Sequence, residues 1–256
     1  PCPSLPFPLP EFQGALPAGL VAALAAQGKS LEAKFAQSNA TGAVFQVAYK
    51  GRTLLNVTYG VTAPGGPAVD ADTIFAIGSV SKLFPSYQMF LMRDAGLVSL
   101  NTPVHDVAPG YDPKPFPGTS TSRGATFANL ASHMAGLGRY APCTFGDCSF
   151  STEVMLKRVS NWTLASPPGS TVSYSNTGFS VLGRVLSTLT GGSFEDFVDA
   201  NITKPLGMSS TFNGPPTGNP KLAQAFNSGT QVAPLDLGWS TPAGGIYSTA
   251  NDMTKF

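Results

Sequence analysis

The stretch from Asp72 to Gly96 constrains the fold most, because its pattern changes from extended to helical within a few residues. Residues 72–77 predict an extended segment that turns at Gly78. From Ser79 onward the apolar residues recur with helical spacing, and Gly96 marks the predicted end of the helix. The sequence therefore predicts a strand that leads directly into a helix, with Ser79 and Lys82 in its first turn.

Ser79 and Lys82 form an S-x-x-K pattern. Side chains three residues apart share one face of a helix, roughly 5–6 Å apart at Cβ, so the Lys82 amine can reach Ser79 Oγ. The helix N-terminus and burial both disfavour a charged lysine, and a neutral amine can accept the serine proton. The motif alone leaves another interpretation open, in which Ser79 caps the helix and Lys82 is a solvated surface charge.

Composition excludes several function classes. Only 11% of the 256 residues are charged and the net charge is +1, so no basic surface for nucleic acid is expected. The longest apolar run, residues 15–26, is broken by Pro17 and Gly19 and is too short to span a membrane. The two histidines, His105 and His133, lack H-E-x-x-H spacing, and we expect neither a metal site nor a cofactor.

The compartment is indicated by glycosylation sequons and cysteines. The N-x-S/T sequons lie at Asn39, Asn56, Asn161 and Asn201. Cys143 and Cys148 flank a short loop and can close a disulfide, whereas Cys2 has no partner in this sequence. We therefore expect a secreted, extracellular glycoprotein.

The order of predicted elements indicates an α+β architecture. A helix over residues 16–37 precedes a β-hairpin with strands at 43–49 and 53–59. The later helices are predicted at 127–132, 151–159, 177–189, 193 to about 202, and from Thr249 onward with Ser248 as cap. Because the sequence stops soon after that cap, we expect the N-terminal part of a longer protein, whose missing C-terminal segment contains the partner of Cys2.

A second group of candidate residues lies at Tyr174 and Asn176. In an extended segment, side chains two residues apart point the same way. A phenol with a lowered pKa can relay a proton, and a carboxamide can bind both an amine and a substrate carbonyl. The alternative is ordinary turn chemistry, with Asn176 capping the following helix.

The order of these motifs resembles the class C β-lactamase-like serine hydrolases, which include penicillin-binding carboxypeptidases, esterases and acyltransferases. The matching stretches are 77–82 (Ile-Gly-Ser-Val-Ser-Lys), 130–137 (Leu-Ala-Ser-His-Met-Ala-Gly-Leu), 168–179, 205–208 (Pro-Leu-Gly-Met) and 242–249 (Pro-Ala-Gly-Gly-Ile-Tyr-Ser-Thr). The resemblance implies a β-lactamase/transpeptidase-like fold with an antiparallel sheet flanked by helices. Residues 1–256 would form one truncated domain, with an α/β part at about 17–75 and 206–256 and a helical part at about 76–205.

The resemblance also implies roles for individual residues. Ser79 would be the acylated nucleophile, Lys82 its activator, Tyr174 the proton relay to the leaving group, and Asn176 a ligand of substrate and lysine. A third family motif, a Lys- or His-Ser/Thr-Gly strand, would follow Phe256 and supply part of the cleft and of the oxyanion hole.

Four aromatic residues are candidates to line the cleft: Tyr140, Phe145, Trp239 and Tyr247. Packing is the default for each, and the cleft is favoured only for Tyr247. His133 is expected to be structural, bonding loop carbonyls.

The leading hypothesis is a secreted serine hydrolase that forms a Ser79 acyl-enzyme with an ester, amide or β-lactam-like substrate. The alternative is a non-catalytic binding or structural protein with the same fold.

Overall fold

The computed structural model describes residues 14–119, 124–143, 148–227 and 229–256, so the predictions for Cys2 and Phe145 lie outside the described residues. In chain order, the helices are α1 (Ala18–Gln37), α2 (Leu83–Asp94), α3 (Val104–Val107), α4 (Phe127–Ala131), α5 (Thr152–Ser160), α6 (Asn176–Thr188), α7 (Phe194–Val198), α8 (Thr241–Gly244) and α9 (Ala250–Met253). The strands are β1 (Gly42–Tyr49), β2 (Arg52–Gly60), β3 (Phe75–Ala76), β4 (Phe212–Asn213), β5 (Ala225–Asn227), β6 (Thr230–Val232) and β7 (Ile246–Ser248). The chain forms two compact units, one up to Ala71 and one from Asp72 to Phe256.

The first unit consists of α1 and the antiparallel pair β1–β2, as the sequence predicts. The hairpin turn is made by Lys50 and Gly51, both with positive φ, which suits a two-residue turn between twisted strands. Gly28 is the buried residue of α1, and a Cβ there would meet Leu55 and Val57 of β2 at 3.4 and 3.8 Å. Helix and hairpin therefore pack closely where the helix lacks a side chain.

The second unit contains a three-stranded antiparallel sheet in the order β3–β7–β4, and a small hairpin of β5 and β6. The sequence predicts an extended segment over β3 but does not predict β4, β5, β6 or β7. They contain two or three residues each, which is too short for an alternating pattern of apolar and polar residues to emerge. Together with the helices they confirm the predicted α+β class.

Helix α6 is the centre of the helical core, and it packs against α2, α4 and α8. The sequence predicts an amphipathic helix, but α6 is buried around most of its circumference. Thr177 and Ser180 are as inaccessible as Leu182, because small side chains let neighbouring helices approach on the side expected to face solvent. Gln88 of α2 donates to Ser187 Oγ across one of these contacts at 2.9 Å.

The segment that contains Ser79 begins as a 3-10 helix, Gly78–Lys82, and becomes α-helical only at Leu83. Gly78 has φ +52°, a conformation that glycine adopts without strain, and it turns the chain from β3 into this helix. In a helix that began at Ser79, Pro85 would lack the hydrogen bond to the Ser81 carbonyl and would bend the helix. Instead, α2 begins at Leu83, two residues before Pro85, so Pro85 lies in its first turn, where the missing N–H has no acceptor within α2 to lose.

Helix boundaries differ from the predictions by one or a few residues. Thr249, not Ser248, caps α9 by accepting from the Asp252 N–H, while Ser248 belongs to β7. Ser193 caps α7 with Asp196 in a capping box, and the helix continues as one π-helical turn over Asp199–Thr203. Cys143 and Cys148 form the predicted disulfide. Over the described ranges, none of the helices has the length and hydrophobicity needed to cross a membrane.

Candidate active site

Ser79 and Lys82 lie in the 3-10 helix with opposite exposure. The Ser79 side chain is exposed, whereas Lys82 is only 8% exposed. Lys82 Nζ lies 3.4 Å from Ser79 Oγ, as expected for neighbours one helical turn apart. The Ser79 hydroxyl is thus accessible, while the Lys82 amine beside it is shielded from solvent. In this arrangement the amine can exchange a proton with the hydroxyl and is not a solvated surface charge.

Lys82 Nζ has two closer partners than Ser79. It donates to Asn176 Oδ1 at 2.8 Å and to the Ala243 carbonyl. Asn176 is the first residue of α6 and Ser175 is the cap, which accepts from the Gly178 N–H. The Asn176 carboxamide is thus released from the capping role that the sequence left open, and it binds the lysine instead.

Tyr174 completes the group from the opposite side. Its hydroxyl donates to Ser79 Oγ at 2.6 Å, and its ring lies beneath Lys82 Nζ, 4.8 Å from nitrogen to ring centroid. Residues 79, 82, 174 and 176 are thereby brought together from two segments more than ninety positions apart in the sequence.

The Ala243 carbonyl is positioned by the packing around α8. Arg184 of α6 donates to the carbonyls of Gly238 and Trp239 at 2.8 and 2.9 Å and pairs with Glu195 at 2.7 Å. Ser81 accepts from the Ile246 N–H at 3.1 Å, which ties the 3-10 helix to β7. These bonds fix the segment on either side of Ala243. The family-like stretch 242–249 therefore has a local role that its sequence did not reveal.

The surroundings change the acidity of the two central groups. Burial, with a smaller contribution from the Arg139 cation, lowers the pKa of Lys82, although contact with Tyr174 opposes the change. Burial tends to raise the pKa of Tyr174, but hydrogen bonding to Lys82 and Ser79 and the charges of Lys82 and Arg139 together lower it. Both groups therefore lose their protons more easily than their free counterparts do.

His133 and Arg139 are two neighbours that the sequence analysis did not assign to the site. The His133 ring lies 4.5 Å from the Tyr174 ring between centroids, and its Nδ1 accepts the Ser175 N–H, whereas loop carbonyls were the expected partners. The Arg139 guanidinium lies 5.0 Å from the Tyr174 ring centroid. Only the family-like stretch 130–137 pointed toward His133, and no pattern pointed toward Arg139.

The structure does not place the Tyr247 side chain beside Ser79. Tyr247 is 3% exposed, packs in a small core with Ile74 and Leu222, and donates to the Leu235 carbonyl at 2.9 Å. In the part of the chain that the structure describes, the Tyr247 side chain therefore has almost no accessible surface with which it could contact a substrate as predicted. Trp239 is buried as well, whereas Tyr140 is exposed.

The predicted glycosylation sites are all exposed: Asn39, Asn56, Asn161 and Asn201.

Comparison with known proteins agrees with the motif order. The sequence profile of the family described as Beta-lactamase matches residues 21–256. Beta-lactamase-like protein 2 of Dictyostelium discoideum is 32% identical over 83% of this chain and 41% of the relative. The D-alanyl-D-alanine-carboxypeptidase/endopeptidase AmpH of Escherichia coli is 30% identical over 87% of this chain and 58% of the relative.

A solved structure agrees with the fold as well. The β-lactamase/D-alanine carboxypeptidase from Yersinia pestis, in complex with citrate, superposes with a TM-score of 0.76 and 27% identity. The match covers 91% of this chain and 67% of that one. The chain spans about half the length of the curated relatives it matches. With its β-lactamase/transpeptidase-like fold and its match over almost the full length, this chain belongs to the β-lactamase family of serine hydrolases and penicillin-binding proteins.

Proposed function

We propose that this protein is a hydrolase that cleaves esters or amides through an acyl-enzyme on Ser79. The observation that carries the proposal is the convergence of a phenol and an amine on one exposed hydroxyl, with 2.6 Å from Tyr174 to Ser79 and 3.4 Å from Lys82 to Ser79. A serine hydroxyl is a weak nucleophile unless an adjacent base removes its proton. The lowered pKa values of Lys82 and Tyr174 increase the fraction of each group that has lost its proton and can act as such a base.

The proposed reaction proceeds in two halves. Lys82, as the neutral amine, accepts the Ser79 proton while Oγ forms a bond to the substrate carbonyl carbon. The proton then passes through the Tyr174 hydroxyl to the leaving alcohol or amine as the old ester or amide bond breaks. In the second half, water attacks the acyl-enzyme, its proton follows the reverse path, and the carboxylic acid product leaves Ser79 free.

Asn176 would hold Lys82 in place throughout and bind a substrate carbonyl with its amide nitrogen. The Asn176 Oδ1 accepts from Lys82, so its Nδ2 hydrogens remain to be donated elsewhere. The names of the relatives favour a carboxypeptidase-like or β-lactam-related substrate, and a simple ester tests the same chemistry.

We also propose that the protein is secreted and glycosylated. The exposure of Asn39, Asn56, Asn161 and Asn201 and the Cys143–Cys148 disulfide support this proposal, since disulfides persist in oxidising compartments. Digestion with an N-glycosidase should reduce the mass of the protein purified from its native host, and an unchanged mass would contradict glycosylation.

The test of the main proposal combines covalent labelling with turnover. A fluorophosphonate probe should modify Ser79, and a p-nitrophenyl ester should be hydrolysed. S79A should abolish both, and Y174F should slow the hydrolysis of an alkyl ester, whose leaving group needs the proton, by about 10²–10⁴-fold. S99A, which removes an exposed serine hydroxyl elsewhere, is the matched control. A folded protein that is neither labelled nor active would favour a non-catalytic relative.

A further inference from the structure

His133 contacts Tyr174 and both of its neighbours in the sequence. The His133 carbonyl accepts the Ser173 N–H at 2.8 Å, and His133 Nδ1 accepts the Ser175 N–H at 3.0 Å. The His133 ring also lies 4.5 Å from the Tyr174 ring and 4.9 Å from Phe179, between centroids. The residue before Tyr174, the residue after it and its ring are thus all held by His133.

The surrounding loop binds the same segment less directly. Ser175 Oγ donates to the Gly138 carbonyl at 2.8 Å, and the Asn176 N–H donates to the Arg139 carbonyl at 2.8 Å. These bonds are made by backbone carbonyls, which any residue could offer. Among these backbone-segment bonds, only the one from the Ser175 N–H to His133 Nδ1 depends on which side chain residue 133 has.

The backbone of His133 is in an unusual conformation. Its φ is +61°, and among the described residues only Lys50 and His133 are non-glycine residues with positive φ. Outside glycine this conformation is uncommon, although asparagine, aspartate and histidine adopt it more often than other residues do, so it carries a cost that other interactions must offset. A strained residue beside a reactive group points to a role in positioning.

We propose that His133 is a positioning residue, which sets the place of the Tyr174 hydroxyl beside Ser79 through the bond from the Ser175 N–H to its Nδ1. This inference rests on the proposed function above and adds the residue that orients its proton relay. Nδ1 accepts a hydrogen bond only while it carries no proton, so the neutral imidazole is the working form. Protonation of the ring removes the acceptor next to Tyr174.

The charge that acts on His133 favours this neutral form. It belongs to Lys82 of the 3-10 helix, whereas the Arg139 cation of the following loop lies against the Tyr174 ring, and Tyr174 itself lies against the imidazole. Burial and, to a smaller extent, the Lys82 charge lower the pKa of His133, and the bond that Nδ1 accepts from the Ser175 N–H exists only in the neutral ring. The ring therefore stays neutral to a lower pH than a free histidine does.

The test compares two substitutions, of which only one supplies a side-chain acceptor. Asparagine and glycine both tolerate positive φ, and both remove the imidazole ring, but only asparagine offers a side-chain oxygen near the position of Nδ1. H133N and H133G therefore form a matched pair. H105N, which changes the other histidine in the sequence, is the control.

The experiment measures how kcat/KM depends on the leaving group of the ester. An alkyl ester needs a proton delivered to its departing alkoxide, whereas p-nitrophenolate leaves without one, so a displaced Tyr174 slows the alkyl ester more. With the same acyl group on both esters, H133G should lose about 10²-fold in kcat/KM on the alkyl ester and much less on the p-nitrophenyl ester. H133N should recover most of this loss, and H105N should match the wild type.

Several results would overturn the proposal. Equal losses on both esters, no loss in H133G, or a loss that H133N does not restore would each show that His133 does not position Tyr174. Hydrolysis by the wild-type protein tests the proposed function separately. If the protein hydrolyses neither ester, the bond can still be tested by NMR. The amide resonance of Ser175 should shift as the His133 ring titrates at a pH below the usual value of 6.5. A Ser175 resonance that does not depend on pH would contradict the proposed bond.

Discussion

Lys82 Nζ lies 3.4 Å from Ser79 Oγ, but 2.8 Å from Asn176 Oδ1. The amine is thus held mainly by a carboxamide and by the Ala243 carbonyl, with the serine as its more distant neighbour, while Tyr174 makes the short contact to Ser79. Such an amine is placed to exchange a proton with either hydroxyl, so Ser79, Lys82 and Tyr174 form one connected group.

Replacing Lys82 by arginine tests whether the amine must become neutral. Arginine retains the positive charge but stays protonated at any working pH, so K82R cannot accept the Ser79 proton. We expect kcat/KM to fall by about 10²–10⁴-fold on a p-nitrophenyl ester. K221R changes an exposed lysine that is 3.9 Å from Asp72 and should retain activity. If K82R kept wild-type rates, a fixed cation would be sufficient and the base would have to be another group.

Removing the charge of Arg139 should move the pH profile. The Arg139 cation contributes to the lowered pKa of both Lys82 and Tyr174, so in R139Q both pKa values rise. A base with a higher pKa is protonated to a larger extent at any given pH, and the acid limb of kcat/KM should therefore shift to higher pH.

The pH–rate profiles of R139Q, R139K and R93Q check this expectation. R139K preserves the positive charge and should lie close to the wild type. Arg93 pairs with Asp94 at the end of α2, so R93Q should not move the limb. An acid limb that stays in place or moves to lower pH in R139Q would refute the electrostatic role of Arg139.

Gly183 links the packing of the core to the site. A Cβ at this position would meet Pro242 carbons at 2.7 and 2.9 Å and a Phe194 carbon at 3.0 Å, and Pro242 directly precedes the carbonyl that binds Lys82. We expect G183A to lower the free energy of unfolding by about 1–3 kcal/mol and to reduce turnover, because Pro242 must move.

Urea denaturation and ester turnover would measure both effects of G183A. Gly192 is the matched control, since a Cβ there would meet only Asp196 atoms at an ordinary 3.8 Å. A stable and fully active G183A variant would mean that the core adapts without moving Ala243.

The disulfide should contribute to stability. Cys143 and Cys148 are separated by five positions, and closing so short a loop is expected to stabilise the folded state by about 2 kcal/mol. C143S/C148S should lower the free energy of unfolding by this amount in urea denaturation. The Cys148 carbonyl also accepts the Trp239 N–H at 2.9 Å, a backbone bond that the double variant retains. Equal stability of the oxidised protein and the variant would show that the bridge adds nothing.

Local chemistry in the sequence was sufficient for the long elements. The apolar spacing in α1, the turn at Lys50 and Gly51, and the serine caps of α5 and α7 all follow from interactions between residues close in sequence. The sequence also indicated which side chains are candidates for the proposed chemistry, because S-x-x-K and Tyr-x-Asn occur in a recognisable order. Helix caps, turns and apolar spacing involve residues close in sequence, so they do not depend on the rest of the fold.

The tertiary structure decided what these side chains touch. Asn176 binds Lys82 because Ser175 takes the capping role. The Tyr247 side chain packs in a core because β7 is the central strand of a sheet whose strands are too short to predict from sequence. Arg139 and His133 join the site only because one loop folds against the segment around Tyr174. Contacts between distant segments depend on how whole elements pack, and no local pattern records them.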